Sequence, residues 1–227
     1  LVLLSYNEKK NLEALLPEIP FDLFHKVLAV DGGSSDGTLD LYKKNKIEFH
    51  VQEEKGRGNA FQMAEKMVTT DCIIFFSTDG NENPDDLKKM LEILADGYDM
   101  VVAGRYTYSA SSTDDSDDPI KLRKGAGILG SKLISLIWGS KIKDAINGFR
   151  GFKVESLKKL KLDAPSHEIE LQSTIRSSKL NFNVIEFPTQ ELERKFEVRK
   201  KSANTLRLMY NLGYFMIREM FIGKKFI

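Results

Sequence analysis

The chain is predicted to be an α/β protein with a mostly parallel, doubly wound sheet and helices on both faces. Three observations predict this. Short apolar runs alternate with helical patterns from Leu1 to Ala103, joined by connections of about 2–6 residues, the usual length in α/β units. Three successive strands end in polar or glycine-rich turns, SYNE (5–8), DGGSSDGT (31–38) and STDGN (77–81). In a parallel sheet such turns share one edge and assemble one site. The composition is that of a globular domain, with 41% hydrophobic and 30% charged residues among 227.

The elements follow in order. Leu1–Leu4 reads as a strand and not as a signal peptide. Lys9–Ile19 carries Leu12, Leu15 and Leu16 at helical spacing, closed by Pro17 and Pro20. Val27–Val30 is the second strand, Leu39–Asn45 a helix and Ile47–Val51 the third strand. The basic turn Lys55–Asn59 opens a helix with Phe61, Ala64, Met67 and Val68 on one side. Ile73–Phe76 is the fourth strand, preceded by Cys72, a single cysteine that excludes an intramolecular disulfide and suits the core. Leu87–Leu94 turns Leu87, Met90, Leu91 and Leu94 inward, and Met100–Ala103 is the fifth strand.

Beyond Arg105 the pattern changes. Tyr106–Pro119 is rich in Ser and Asp and reads as a surface loop. Lys121–Trp138 has helical apolar spacing interrupted by Gly125, Gly127 and Gly130. Gly151–Val154 and Phe182–Phe187 read as strands and Ser166–Ser178 as a helix. These considerations set a main domain over 1–190. The remainder, 191–227, holds a flexible charged segment and the amphipathic helix Leu206–Ile222, whose apolar side suits a membrane surface, a partner subunit or the domain itself. No run of about 20 apolar residues exists to span a bilayer. A net charge of +1 excludes a nucleic-acid binder driven by bulk charge.

The stretch Ile73–Pro84 (IIFFSTDGNENP) concentrates the chemistry. Four apolar residues are followed by short oxygen-bearing side chains at the expected mouth of the sheet. Asp79 and Asn81 are two apart, so in an extended segment both face one way. That arrangement suits a hard divalent cation, which takes its other ligands from water and phosphate. It equally suits a polar turn with an Asx cap. Asp36 is read as a loop and helix cap. His25, His50 and His167 lack metal-ligand spacing.

Taken together, Tyr6-Asn7-Glu8 with Asn11, Asp31–Thr38, Lys55–Ala60, Asp79–Asn81 with Pro84, Gly104-Arg105, and Asp144 with Gly148-Phe149-Arg150 resemble the GT-A glycosyltransferases of family 2. Within that family they look most like the dolichyl-phosphate mannose synthase and polyprenyl-phosphate glycosyltransferase group. The pieces lie in the expected order over about the first 190 residues, and six in order are far more specific than any one. The resemblance implies a GT-A, Rossmann-like nucleotide-diphospho-sugar transferase fold. It also implies a divalent metal, Mg²⁺ or Mn²⁺, a nucleotide-sugar donor and a lipid-phosphate acceptor.

Residue roles follow from the resemblance. Tyr6, Asn7, Glu8, Asp31, Lys55, Arg57 and Asp79 bind the nucleotide sugar; Asp79 and Asn81 hold the metal. Arg105, Arg123 and Arg150 receive the acceptor phosphate, for which guanidinium is geometrically suited. Asp79, Arg105 and Asp144 are the catalytic candidates. Asp144 acts as base or orienter for a hydroxyl acceptor, or only pins the turn before Gly148. Arg194 and Arg199 are placed to close over the site. Two positions depart from the family pattern: Gly32 follows Asp31 where a second Asp is common, and Ser77 stands where an Asp-x-Asp would begin. Asn81 stands where the lipid-phosphate group carries Gln. Three functions are compatible: hexose transfer from a GDP- or UDP-sugar to polyprenyl or dolichyl phosphate at the cytoplasmic membrane face; transfer to a glycan hydroxyl; and a catalytically weak nucleotide-sugar binding protein.

Overall fold

The fold is described from a computed structural model covering residues 1–106, 111–112, 122–196 and 205–226. Strands β1 (Val2–Ser5), β2 (Leu28–Asp31), β3 (Glu48–Val51), β4 (Cys72–Ser77) and β5 (Met100–Gly104) follow the expected apolar runs. After the two-residue β6 (Ser111–Ser112) come β7 (Arg150–Lys153), β8 (Val184–Pro188) and the short β9 (Gln190–Glu191). Seven of them form one sheet in the order β3-β2-β1-β4-β7-β5-β8, all parallel except β7. A small second pairing joins β6 to β9.

The helices are α1 (Lys9–Leu15), α2 (Thr38–Lys44), α3 (Arg57–Met67), α4 (Asp86–Ala95), α5 (Leu122–Trp138), α6 (Val154–Leu160), α7 (Glu168–Lys179) and α8 (Thr205–Ile222). The first ends earlier than Ile19, and residues Leu16–Glu18 tighten into a 3₁₀ turn around Pro17, which has no N–H to continue an α-helix. The helix α6 starts at Val154, which the sequence pattern assigns to a strand end.

Strand alternation divides the core between the two faces. Leu3, Ala29, Ile74, Phe76, Val101 and Ala103 pack with α1, α2 and α4 residues such as Leu12, Tyr42 and Met90. Val2, Leu4, Val30, Phe75 and Val102 pack with Phe61, Leu157 and Ile169 from α3, α6 and α7. Central strands are therefore apolar on both faces, whereas the edge strand β3 is half exposed. In β7, a Cβ on Gly151 would lie 3.0–3.2 Å from Leu94, Ile74 and Val101, so the sheet closes tightly over this one antiparallel strand.

The helix α8 docks on α7 through a buried ionic cluster. Glu219, with no exposed surface, accepts from Arg176 Nε (3.0 Å), Gln172 Nε2 (3.1 Å) and Lys179 Nζ (2.7 Å). Ile134, Leu171 and Ile175, with Leu212 and Met216, make a third apolar cluster where α5, α7 and α8 meet. Among the described residues no helix is long and apolar enough to cross a membrane. Most of the loop 106–119, the segment 197–203, Arg199 and the side chain of Arg123 lie outside the described residues.

Candidate active site

The sheet reverses its winding between β1 and β4: β2 and β3 lie to one side, β4 and the later strands to the other. Ligands of open α/β sheets sit at such a switch point, beyond the strands' carboxyl ends. A cleft of about 390 Å³ opens there, lined by Tyr6 and Glu8 after β1, Gly32 after β2, Arg57 at the start of α3, and Ser77 and Asp79 at the end of β4. His167 also lines it, as does Gln52; neither was marked for this cleft by sequence pattern.

Of the donor-binding candidates, Tyr6, Glu8, Arg57 and Asp79 face this cleft together. Lys55 stands at the rim, its ammonium 4.7 Å above the Tyr6 ring and 3.3 Å from the Tyr6 hydroxyl. Asn7 and Asp31 lie behind it. Asp31 is fully buried and accepts from the Gly33 and Ser34 N–H groups (2.8 and 2.6 Å) and from the Ser34 hydroxyl (2.7 Å). Asn7, at φ +55°, receives the Ser35 N–H on its side-chain oxygen (2.8 Å). Both residues brace the β1 and β2 turns, because the glycine-rich loop has no regular structure to satisfy its own N–H groups. Asp36 caps α2 through the Thr38 N–H (3.0 Å) and ties it to α1 through the Lys9 N–H (2.9 Å).

Arg57 is held from three sides. Nε bonds Glu170 of α7, Nη1 donates to Ser77 Oγ (3.0 Å), and Nη2 lies 3.8 Å from Glu82. Burial opposes its charge, but Glu170 and Glu82 outweigh it and hold the guanidinium protonated beyond its ordinary range. The turn before β7 makes room for it: Gly148 lies so close that a Cβ there would overlap the guanidinium. Glu82, with 9% of its side chain exposed, folds back onto the strand end, accepting from the Ser77 N–H (2.7 Å) and hydroxyl (2.8 Å). Burial raises its carboxyl to about 7 despite the nearby Arg57. Neither Glu82 nor Glu170 carries a motif that could have found it; both act through tertiary contact.

Asp79 and Asn81 are not on one face of an extended segment. The strand ends at Ser77, and a turn through Gly80 (φ +85°) separates them. Asp79 pairs with Arg194 (3.0 Å), and the Asn81 amide donates to Glu191 (3.3 Å). Among the described residues no group of three or more His, Cys, Asp or Glu side chains could hold a metal ion. Asp79 nevertheless attracts a cation, Arg194, and one or two carboxylates suffice for Mg²⁺ or Mn²⁺ when diphosphate and water complete the shell. The residues present therefore fit a metal that arrives with a diphosphate.

Arg105 follows β5 and is gripped by Asp144. Oδ2 accepts from the Arg105 N–H (3.1 Å) and Nε (2.7 Å), Oδ1 from Nη2 (3.0 Å). Asp144 has no exposed surface, while 21% of the Arg105 side chain is exposed. Burial again opposes the charge and Asp144 outweighs it, so Arg105 remains a cation. Glu186 steadies the turn by accepting from the Lys143 and Asp144 N–H groups (2.6 and 2.9 Å). Asp144 is thus enclosed, with both oxygens engaged by Arg105. Glu191 lies 3.8 Å from Arg105 and also receives Asn81, which links Arg105 to the turn that carries Asp79.

Arg150 corrects an expectation. It is wholly enclosed, and its donors go to the Asn147, Ala145 and Glu170 carbonyls and to the Ser173 and Thr174 hydroxyls. Burial lowers its guanidinium to about 10. No surface remains for an acceptor phosphate; Arg150 fastens β7 to α7.

Residues 1–161 match the model of glycosyl transferase family 2. The chain belongs to that family. It is accordingly a glycosyltransferase. Over 186 residues it is 26% identical to the glycosyltransferase AglJ of Haloferax volcanii, covering 82% of this chain and 60% of that protein. Over 203 residues it is 27% identical to the dolichyl-phosphate hexose transferase of the same organism, covering 86% of this chain and 83% of that one. The glucosyl-3-phosphoglycerate synthase of Mycobacterium tuberculosis, solved with Mn²⁺, UDP and glucosyl-3-phosphoglycerate, superposes with a TM-score of 0.67. That likeness covers 92% of this chain and 75% of the synthase at 16% identity, and it establishes the GT-A fold.

Proposed function

We propose that this glycosyltransferase moves a hexose from a GDP- or UDP-sugar to a polyprenyl or dolichyl phosphate, with inversion and with help from Mg²⁺ or Mn²⁺. The observation that carries this reading is the burial of Asp144 beneath Arg105. A sugar hydroxyl has a high pKa and needs a general base. The base candidate on this side is enclosed, with both oxygens engaged, and what it presents is a fixed cation. A phosphate acceptor is already ionised and needs such a cation for orientation.

In this reading Tyr6 and Glu8 line the nucleoside end and Arg57 lies along the donor floor. Asp79 with Asn81 holds the metal, which supplies Lewis-acid neutralisation of charge on the departing diphosphate. Arg105 holds the acceptor phosphate, with Arg123 on α5 as a second candidate. A phosphate oxygen attacks the anomeric carbon, the bond to the donor diphosphate breaks, and the nucleoside diphosphate leaves. An apolar groove of about 470 Å³ between α5 and α8 supports a lipid acceptor. Its lining includes Gly127, where a Cβ would come within 3.3 Å of the hydroxyl of Tyr106, the neighbour of Arg105. Leu136, Tyr210 and Phe221 are broadly exposed on the same two helices, which suits peripheral contact with the cytoplasmic face of a membrane, or with a second copy. The name of the dolichyl-phosphate hexose transferase relative points the same way.

The test incubates GDP- and UDP-hexoses with polyprenyl phosphate or with free glycans, each with Mn²⁺, Mg²⁺ or EDTA, and identifies products by mass spectrometry and anomeric NMR. A metal-dependent polyprenyl-phosphate hexose of inverted configuration, lost in Asp79→Ala and in Arg105→Lys, is expected. Transfer to a glycan hydroxyl alone would overturn the acceptor assignment. A binding-only protein is the reading Ser77 favours, but the Glu82 carboxylate lies on the Ser77 hydroxyl, so that strand end still carries a carboxylate.

A further inference from the structure

The segment after β8 runs along the turn that carries Asp79, at the edge of the cleft, and is stitched down at several points. The Leu192 N–H donates to the Asn81 carbonyl (2.8 Å), and the Asn81 amide reaches Glu191 (3.3 Å). Arg194 pairs with Asp79 at 3.0 Å, and Lys195 pairs with Glu18 (2.8 Å). At Phe196 the backbone N–H and carbonyl both bond the side chain of Asn11 (3.1 and 3.0 Å). The same Asn11 amide donates to Glu8 (2.9 Å), which lines the cleft. The strap is therefore coupled to the site at both ends, at Asp79 and at Glu8.

We propose that Arg194 is the resident counter-cation of Asp79 and that a divalent metal displaces it only in company with a nucleoside diphosphate. This rests on the donor reading above. Asp79 is one carboxylate, 24% exposed, and its pairing with Arg194 is electrically neutral. A free metal ion arriving alone must break that pair and take its place beside a second cation, the Arg194 guanidinium, which lowers its affinity. A metal carried on a diphosphate brings its own anionic oxygens. Those oxygens offer the released guanidinium a planar, two-point partner, for which arginine is suited. Arg194 thus changes partner, from carboxylate to diphosphate, and the loading order becomes nucleotide and metal together. Lysine at 194 would keep the charge but lose the paired hydrogen bonds.

Arg194 is a partly buried strap residue, 28% exposed at its side chain and outside the apolar clusters of the sheet, so its removal leaves the core intact. The experiment measures Mn²⁺ binding by the loss of the free-ion EPR signal, with Mn²⁺ alone and with GDP or UDP, for the wild type, Arg194→Gln, Arg194→Lys and Asp79→Asn. The wild type binds Mn²⁺ weakly alone and strongly with one nucleotide. Arg194→Gln binds Mn²⁺ alone about tenfold more tightly and the Mn²⁺–nucleotide pair about tenfold more weakly, the scale of one partly exposed ion pair. Arg194→Lys stays weak for Mn²⁺ alone, and Asp79→Asn loses binding in both arms. Unchanged Mn²⁺ affinity in Arg194→Gln, with normal nucleotide-dependent binding in the wild type, overturns the proposal and leaves the donor reading standing. Tightened Mn²⁺ binding in Arg194→Gln with no nucleotide effect in any protein overturns the donor reading and leaves the counter-cation role standing.

Discussion

Replacing Ser77 by Asp, which restores the commoner family residue, should destabilise this protein in a pH-dependent way. The Ser77 hydroxyl donates to Glu82 at 2.8 Å, and its N–H donates to the other carboxylate oxygen at 2.7 Å. An Asp at 77 removes the hydroxyl donor and sets a second carboxylate against Glu82. Two full charges about 4 Å apart at an effective dielectric of 20 repel by about 4 kcal/mol. The pair escapes part of that cost by keeping Glu82 protonated. Because Glu82 already titrates near 7, holding it neutral at pH 8 costs about 1.4 kcal/mol. The lost hydrogen bond adds about 1 kcal/mol and the new carboxylate's pairing with Arg57 Nη1 returns about as much, so Ser77→Asp should cost about 1–2 kcal/mol at pH 8.

At pH 6 Glu82 is mostly protonated in the native state and can donate to the new carboxylate, so the cost should fall below about 1 kcal/mol. The wild type carries the same sign. A carboxyl raised from 4.5 to about 7 is more protonated when folded, so its contribution is complete below pH 4.5 and lost as pH rises through 7. That amounts to about 3 kcal/mol. Urea denaturation at pH 6 and 8 measures the effect, and Glu82→Gln should flatten the pH dependence in both backgrounds. Equal cost of Ser77→Asp at the two pH values, or an unchanged pH slope in Glu82→Gln, would refute the reasoning.

Arg150→Ala should cost about 3–5 kcal/mol, because it strips the partner from several buried carbonyls and hydroxyls. Thermal melting checks it, and the apparent KM for a phosphate acceptor should stay unchanged in whatever fraction folds. Glu219→Ala takes away the carboxylate that pairs with the buried Lys179 and leaves Arg176 the half-exposed Asp163 (3.2 Å), so α8 should lose hydrogen-exchange protection before the sheet does, with about 3 kcal/mol lost overall. Gly148→Ala should push Arg57 off Glu170 and Ser77, weakening nucleotide binding about tenfold or more by calorimetry while the sheet stays folded.

The sheet was legible because its signal is local. Apolar runs such as Ile73–Phe76 and Met100–Ala103 can only be central strands between helices, and both are buried on both faces. The turns that build the cleft were legible for the same reason, since polar residues at strand ends have no other place to go. Arg150 was misread because a motif gives residue type and not direction; its entry into an antiparallel strand turns it beneath α7. Asp144 left two readings open, and only tertiary placement shows that its oxygens are spent on Arg105. The helix α7, EIELQSTIRSSK, reads as half solvent-facing, yet nearly every residue in it is buried. Arg57, Arg150, Asp163 and Glu219, all distant in sequence, take up several of its polar side chains, which no periodicity can reveal, while Glu168 and Glu170 each keep one buried oxygen without a hydrogen bond.

That buried polar helix connects the two halves of the site. On successive turns of α7, Glu170 holds Arg57 in the donor cleft, Ser173 and Thr174 hold Arg150 at the start of β7, and Arg176 and Lys179 hold Glu219 of α8. A row of leucines would pack the same space with less desolvation. It would not fix direction: the ion pairs to α3 and α8 and the hydrogen bonds from Arg150 of β7 each accept one register of α7, whereas apolar contacts tolerate sliding. The Arg57 guanidinium in the cleft and the apolar helix α8 are thereby set at one distance from each other. The transfer proposed above, from a water-soluble nucleotide sugar to a lipid-borne phosphate, needs that distance fixed, since the reacting atoms must meet at an approach of about 3–3.5 Å.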